Sequence, residues 1–179
     1  MQAVYRCTRE KCGRFFFAGY LSYPRQENLH LRGVGPWVPK EYEFPEPITH
    51  LSPRFVEIYN NALTAEHHGL IDLVGMGLRK ALEFLVKDYA VSLTPEQEES
   101  IRKATLGKVI GELGDKRIKT TAARAAWLGN DESHYTRIWE DKDVEDLKVL
   151  IKLTINWIES DLLTRQYETE MPKPSKGSS

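Results

Sequence analysis

The chain has 179 residues, of which 41% are hydrophobic, 28% charged and 10% aromatic. These proportions are typical of a folded globular domain and exclude an intrinsically disordered chain. Lysine and arginine number 25 against 26 aspartates and glutamates, which gives a formal net charge of −1. This balance excludes a globally basic nucleic-acid coat but leaves room for a local basic patch.

Several signatures of common protein classes are missing. No stretch approaches the roughly 20 apolar residues of a membrane helix, and charged residues scattered through the first twenty positions interrupt any signal-peptide segment. The P-loop, dinucleotide-binding, nucleophile-elbow and His-Glu-x-x-His motifs are absent. Two cysteines do not predict a secreted disulfide scaffold. We therefore expect a cytoplasmic protein without membrane partners.

Residues 1–50 are predicted to form a small β-containing, Pro-rich N-terminal region. Short aromatic and β-branched runs alternate with proline and glycine, a pattern typical of short strands joined by loops. Trp37, Tyr42 and Phe44 follow in the Pro-rich segment. They can pack on the core of their own protomer or on a neighbour, and the first interpretation is favoured.

The spacing Cys7-x4-Cys12-Gly13 looks like one knuckle of a zinc ribbon. Structural zinc requires four ligands, and the sequence holds no second cysteine pair. His30, His50 or the knuckle of a partner chain can complete such a site. The alternative is two reduced cysteines in a small β-hairpin. Cys7 and Cys12 are therefore the candidates for a zinc site, and no other cofactor is expected.

From residue 51 the hydrophobic period becomes helical, and residues 51–165 are predicted to form an antiparallel helical bundle. Ser52 and Pro53 mark a helix start, with serine as the N-cap. A stripe of apolar residues over 70–85 predicts a second long helix. Its Gly75 and Gly77 are expected to admit a closely packed neighbouring helix.

The second half of the bundle is predicted from capping signals. Thr94 and Gln97 are spaced for a capping box at a helix start. Shorter helices are expected over 105–114 and 117–128, the second ended by Gly129-Asn130 in a positive-φ conformation. Asp141 or Asp143 is expected to cap the last long helix. Residues 166–179, which end in the run MPKPSKGSS, are expected to be disordered.

One helical face carries polar candidates. Asp72, Met76, Arg79, Glu83 and Lys87 recur at helical spacing opposite the apolar stripe. One interpretation is a solvated face with ordinary i,i+4 ion pairs. The other is that Glu83 holds Arg79, which points at the polar end of another helix. The spacing alone favours neither.

The segment 127–135, WLGNDESHY, concentrates residues that cap, turn and titrate. Asn130 and His134 are expected to project together into the polar end of the bundle. An imidazole there has an intrinsic pKa suited to acid–base work. The alternative is structural, with Asn130 capping backbone groups and His134 bonding a carbonyl.

Three ordered segments together resemble a known family: SPRFVEIYNNALTAEHHGLIDLVGMGLRKALEFLVKDYAV (52–91), LGNDESHY (128–135) and WEDKDVEDLKVLIKLTINWIE (139–159). The family is a widespread bacterial domain of unknown function in the HEPN-like superfamily of helical, nucleotide- and RNA-associated domains. The resemblance covers residues 50–160. It implies a mostly α, HEPN-like antiparallel helical bundle, capped here by the β-containing N-terminal region. It also implies a homodimer and a setting in bacterial defence, toxin–antitoxin systems or phage counter-defence.

Many members of this superfamily are metal-independent ribonucleases. Their motif is an Arg, a polar residue and, four to six residues on, a His, with two protomers meeting over RNA. The resemblance assigns the His to His134 and the polar position to Asn130. The Arg is missing at the required spacing, because Arg124 precedes His134 by ten positions. Without a positioned cation the charge of the phosphorane is poorly stabilised.

The resemblance therefore favours a module that binds a protein partner or a nucleic acid such as RNA, without a complete ribonuclease motif. The residues expected to bind are Arg79, Glu83, Arg124, Asn130, His134 and Tyr135. The alternative is a metal-independent endoribonuclease in which His134, Asn130 and Arg79 are catalytic.

Overall fold

A computed structural model describes residues 2–9, 12–13, 15–22, 28–35, 41–132 and 138–172. The chain divides into two compact units, Met1–Lys40 and Glu41–Ser179. The sequence predicts the division after residue 50 instead. The difference arises because a short helix, Glu46–Leu51, and the aromatic residues before it already belong to the helical unit.

The first unit is a three-stranded antiparallel sheet in the order β1 (Gln2–Arg6), β2 (Phe15–Leu21) and β3 (His30–Gly35). Val4 pairs with Phe17 across the first two strands, and the register of β2 and β3 shifts between Gly19 and Tyr20. The prediction of short strands in this region is confirmed.

The second unit is helical, as predicted. Its helices are α1 (Glu46–Leu51), α2 (Pro53–His67), α3 (Ile71–Leu93), α4 (Glu98–Lys103), α5 (Leu106–Glu112), α6 (Lys116–Asp131) and α7 (Val144–Glu170). Helix α3 contacts each of the other six. Leu78, Leu82 and Leu85 of its apolar stripe are fully buried, whereas Leu73 near its start is 49% exposed. Burial of each fully buried side chain contributes about 1.5–3 kcal/mol to stability. Because α3 also contacts every other helix, it forms the centre of the core.

Glycines allow two close helix crossings on α3, as the sequence predicts. A Cβ atom on Gly77 would lie 2.9 Å from the Cβ of Ala62 in α2. A Cβ atom on Gly75 would lie 2.6 Å from the Cβ of Glu132, just after α6. Both distances are shorter than van der Waals contact, so neither position has room for a side chain.

Two predicted caps have other partners. Helix α2 begins at Pro53 as expected, but the buried Ser52 hydroxyl donates to Oδ2 of Asp88 in α3, at 2.5 Å, instead of capping α2. The Thr94 hydroxyl donates to the carbonyl oxygen of Ala90 at 3.1 Å. No capping box with Gln97 forms, because the Thr94 side chain bonds the preceding helix, and a 3₁₀ turn, Pro95–Gln97, precedes α4.

Helices α6 and α7 both extend beyond their predicted ends. Gly129 and Asn130 lie inside α6, so the prediction that they terminate it with a positive φ is wrong. Asp143 caps α7 in a capping box with Asp146, which confirms one of the two predicted caps. Helix α7 continues to Glu170, so residues 166–170 are helical and not part of a disordered tail. Residues 173–179 lie outside the described residues.

The aromatic residues before α1 pack on the core of their own chain. The ring of Phe44 lies 4.8 Å from that of Phe55 and 5.2 Å from that of Tyr59, between ring centroids. Tyr42 lies 4.7 Å from Phe44. These contacts confirm the favoured interpretation for two of the three residues, and Trp37 lies outside the described residues.

The start of α6 gives a testable pH dependence. Oδ1 of the N-cap Asp115 accepts the backbone N–H groups of Arg117 and Ile118, and the Arg117 guanidinium lies 2.9 Å from Oδ2. The hydrogen bond from the Arg117 side chain, with help from the backbone N–H groups, lowers the pKa of Asp115 to about 2. We expect Asp115→Ala to lower the free energy of unfolding by about 1 kcal/mol at neutral pH.

Because the folded-state pKa of Asp115 lies below its unfolded value, this stabilisation is complete above about pH 4 and fades as the pH falls towards 2. Urea unfolding of the wild type and of Asp115→Ala across this range measures it, with the exposed, non-capping Asp141→Ala as control. If the difference in the free energy of unfolding between the wild type and Asp115→Ala stays constant down to pH 2, the ionisation of Asp115 is not the source of the stabilisation.

None of the helices within the described ranges is both long and apolar enough to cross a membrane.

Candidate functional site

The predicted site residues Arg79 and Asn130 meet where α3 crosses α6. Nε of Arg79 donates to Oδ1 of Asn130 at 2.8 Å. Nη1 of Arg79 lies 3.6 Å from Oε2 of Glu83, one turn further along α3. The structure thus brings Asn130 into contact with Arg79, from which it is 51 residues away in sequence. Glu83 lies one helical turn after Arg79. It has the arrangement of the second interpretation, in which Glu83 holds Arg79 and Arg79 points at another helix.

Gly129 makes this contact between α3 and α6 possible. A Cβ atom on Gly129 would lie 2.9 Å from Cβ and 3.1 Å from Cδ of Arg79. The Arg79 side chain therefore lies across the backbone of α6 at the one position that lacks a side chain. The glycine that appears to be a helix terminator is instead a packing site for Arg79.

The charges around Arg79 are largely compensated. Lys87 lies 2.8 Å from Oε1 of Glu83, on the side away from Arg79. Partial burial raises the pKa of Glu83, but the hydrogen bond from Lys87 and the charges of Lys87, Lys80 and Arg79 outweigh it. The net pKa of Glu83 lies below its ordinary value, so this carboxylate is ionised at neutral pH and neutralises Arg79. The cluster therefore clamps α3 to α6.

Asp131, the last residue of α6, anchors the chain that follows. It is only 4% exposed, and its carboxylate accepts the backbone N–H of Ile138 at 2.8 and 3.0 Å and that of Trp139 at 2.9 Å. A protein hydrogen bond adds about 0.5–1.5 kcal/mol of net stability. The hydrogen bonds to Asp131 hold the backbone of Trp139 next to the C-terminal end of α6. The predicted site residues His134 and Tyr135 lie outside the described residues.

A second surface lies between α6 and α7, and it contains the predicted binding residue Arg124. A cavity of about 360 Å³ opens there. Its walls include two indole rings, that of Trp127 on α6 and that of Trp139 after it, which are 55% and 44% exposed. Leu128, Val149 and Leu150 provide its apolar part. Exposed indoles around an apolar cavity are typical of a ligand-binding surface.

A second concavity lies along the same two helices, nearer the start of α6. The guanidinium of Arg117 lies over the indole of Trp157, 4.5 Å from the ring centroid. Thr120 lines this second concavity, and its carbonyl oxygen accepts a hydrogen bond from Nη1 of Arg124 at 3.2 Å. We call the two concavities together the α6/α7 groove. Its lining residues are Lys116, Arg117, Thr120, Thr121, Arg124, Trp127, Leu128, Trp139, Lys142, Asp146, Val149, Leu150 and Trp157.

The cations of the α6/α7 groove differ in their partners. Lys142 lies 3.8 Å from Asp141 and 3.7 Å from Asp146, and Arg117 pairs with Asp115. Arg124 is exposed, and within the described part of the chain it forms no ion pair. Arg124 is therefore the cation best placed to meet an anionic group of a ligand.

Sequence reasoning missed most of this groove. Trp139, Lys142 and Val149 are not among the predicted site residues. Trp127 is part of the segment 127–135 but is not itself predicted to bind. A signal was available on α6, where Arg117, Arg124 and Trp127 recur on one helical face. The matching face of α7 looks like part of an ordinary apolar stripe until the structure shows which residues are exposed.

The two cysteines lie at one end of the sheet, where Cys7 is partly buried and Cys12 is exposed. Over the described ranges, no group of three or more His, Cys, Asp or Glu side chains is arranged to hold a metal ion. A zinc site within a single chain therefore finds no support among these residues.

Comparison of the chain with protein-family models, curated proteins and solved structures found no match in any of the three. Membership of the HEPN-like superfamily stays a prediction.

Proposed function

We propose that this chain is a HEPN-like module that binds single-stranded RNA in the α6/α7 groove without cleaving it. The observation that carries the proposal is that three of the four tryptophans lie along α6 and α7 with two arginines. Trp127 and Trp139 line one concavity with Arg124, and Trp157 lines a second with Arg117. The sequence resemblance adds a homodimer and a role in bacterial defence, toxin–antitoxin systems or phage counter-defence.

Stacking on indole rings is the interaction that such a groove offers. A base that stacks on an aromatic side chain gains about 1–3 kcal/mol, and every base has a π face to present. The cavity between Trp127 and Trp139 is apolar on the side of Leu128 and Val149, which favours a base over a phosphate there. In a duplex the bases are already stacked and paired, so the groove selects single strands.

Arg124 lies between the two aromatic parts of the groove, where the backbone of a stacked strand would pass. Each phosphate contact on a single strand adds about −0.7 to the slope of log affinity against log salt concentration. With Arg124 as the principal cation and Arg117 already paired with Asp115, we expect a shallow slope, between about −0.7 and −1.4. This modest charge contribution agrees with a chain whose net charge is −1.

The environment of Arg79 supports binding over cleavage. Its guanidinium is already bonded to Asn130 and neutralised by Glu83. A cation with a carboxylate beside it stabilises a developing phosphorane less than a free one. Arg79 therefore serves better as a structural clamp than as a replacement for the missing motif arginine.

Tryptophan fluorescence of the full chain tests the proposal. An oligouridylate of about ten nucleotides, within the usual site size of single-strand binders, should quench it, whereas an RNA duplex of equal length should not. Arg124→Ala should weaken the binding. The matched control is Arg54→Ala, an exposed arginine on α2 whose guanidinium pairs with Glu57.

Absence of quenching, equal affinity for the duplex, or equal losses from Arg124→Ala and Arg54→Ala would each refute binding in this groove. A salt slope that corresponds to six or more phosphates would refute the stacking mechanism.

A further inference from the structure

The second concavity of the α6/α7 groove is built around the guanidinium of Arg117. It has a volume of about 330 Å³, and its lining includes Arg117 and Trp157. Cζ of Arg117 lies 4.5 Å from the centroid of the Trp157 indole. The Arg117 side chain is nevertheless 61% exposed. One side of the guanidinium therefore contacts the indole, and the opposite side faces solvent in the concavity.

Asp115 holds the edge of this guanidinium. Nη2 of Arg117 donates to Oδ2 of Asp115 at 2.9 Å, and Nε donates to Oδ1 at 3.4 Å. Oδ1 also accepts the backbone N–H groups of Arg117 and Ile118, so the carboxylate is itself fixed to the start of α6. The carboxylate and the indole thus hold Arg117 from two sides before any ligand binds. A ligand that meets a preorganised group of this kind avoids the cost of ordering it.

The pairing with Asp115 decides which part of an RNA strand suits Arg117. The charge of Arg117 is compensated by a carboxylate, and two of its N–H donors point at that carboxylate, so it attracts a phosphate weakly. Arg124, by contrast, forms no ion pair within the described part of the chain. The open side of Arg117 offers a flat cation instead, and nucleobases stack on guanidinium planes as they do on aromatic rings.

The hydroxyl of Thr121, which also lines this concavity, is bonded within the protein. It donates to the carbonyl oxygen of Arg117 at 3.0 Å and accepts from the hydroxyl of the buried Thr154 at 3.0 Å. Both bonds belong to the packing of α6 on α7. The flat guanidinium, and not a hydroxyl, is therefore the group that this part of the wall offers to a ligand.

We propose that the second concavity receives a nucleobase, which stacks on the solvent-facing side of the Arg117 guanidinium, and that Asp115 is the residue that positions this guanidinium. The inference rests on the proposed binding of single-stranded RNA in the α6/α7 groove and names the group of the RNA that binds at its second part. It gives Asp115 a favourable effect on RNA affinity, although the charge of a carboxylate by itself repels phosphates.

Two variants of the full chain test the proposal, with the affinity for a dye-labelled oligouridylate measured by fluorescence anisotropy. Asp115→Ser keeps a good helix N-cap but removes the carboxylate that holds Arg117. Arg117→Lys keeps the positive charge but removes the planar group. Each is expected to weaken binding about 5-fold or more, the loss that accompanies one stacked base. The slope of log affinity against log salt concentration should stay that of the wild type, because no phosphate contact is lost.

Glu98→Ser and Arg102→Lys are the matched controls. They alter a comparable exposed pair on α4, outside the groove, in which Nε of Arg102 lies 2.7 Å from Oε1 of Glu98. Both should bind the oligouridylate like the wild type. Circular dichroism should show the same helix content in all four variants, because the core of the helical unit is untouched.

Wild-type affinity in Arg117→Lys would overturn base stacking on Arg117. Tighter binding by Asp115→Ser, with a salt slope steeper by about −0.7, would do the same, since it would show that the released arginine contacts a phosphate. Either result leaves RNA binding in the groove standing, provided that Arg124→Ala still weakens it. Equal losses in the control variants would also overturn the proposal, and failure of the wild type to bind would refute both proposals together.

Discussion

Trp127→Ala and Trp139→Ala are each expected to weaken the binding of a single-stranded oligouridylate about 5- to 150-fold. This range corresponds to the loss of about 1–3 kcal/mol of stacking on one base. Both indoles are about half exposed, so their removal should lower the free energy of unfolding by less than the loss of a fully buried tryptophan would. The double variant should lose more than either single variant, because each indole stacks on a different base.

Fluorescence anisotropy of a dye-labelled oligouridylate is the appropriate measurement, since it does not depend on the tryptophans that are removed. Trp127→Phe should retain part of the affinity, because phenylalanine still offers a ring. The control is Tyr167→Ala, an exposed aromatic residue near the end of α7 and outside the groove. If Tyr167→Ala weakens binding as much as the tryptophan variants do, specific stacking in the groove is wrong.

Gly77→Val is expected to lower the free energy of unfolding by about 1–3 kcal/mol. A Cβ atom on residue 77 would lie 2.9 Å from the Cβ of Ala62, which is fixed to the backbone of α2 and cannot rotate away. Helices α2 and α3 would have to separate along their contact. The loss occurs although valine has a better helix propensity than glycine.

Urea unfolding measures the effect of Gly77→Val, and Gly111→Ala is its control. Gly111 lies in α5, is exposed, and has no atom within 4 Å of an added Cβ. There the gain in helix propensity should stabilise the chain by up to about 1 kcal/mol. Equal changes in the two variants would show that α2 and α3 are not in close contact at Gly77.

The helical unit could be predicted from hydrophobic period because its helices bury continuous stripes, and a stripe is a local property of the sequence. The Gly75 and Gly77 crossings could be predicted as well, since glycine inside a helix needs a compensating contact. Asp143 could be predicted as one of two candidate caps of the last helix, the other being Asp141. These features depend on residues close together in the chain.

The incorrect predictions for Gly129 and Ser52 have a common physical cause, which is that tertiary contacts compete with local ones. Gly129 resembles a helix C-terminus because glycine is frequent there. Its actual role depends on the Arg79 side chain, 50 residues earlier in the sequence. Ser52 likewise bonds Asp88 instead of its own helix. Local patterns do not contain these partners.

The α6/α7 groove could be predicted only in part. Arg124 is among the residues that the family resemblance predicts to bind. The groove itself requires two helices and the anchored Trp139 to come together. Apolar residues of α7 such as Val149 cannot be assigned to surface or core from period alone, because the exposed and buried edges of a stripe look alike.

Photocrosslinking of the full chain to a thiouridine-substituted oligouridylate, with identification of the crosslinked peptides by mass spectrometry, locates the bound base directly. RNA binding in the α6/α7 groove predicts crosslinks in the peptides that contain Trp127, Trp139 or Trp157, reduced in Arg124→Ala. Crosslinks confined to residues 2–35 or to α3, with none in α6, Trp139 or α7, would contradict it.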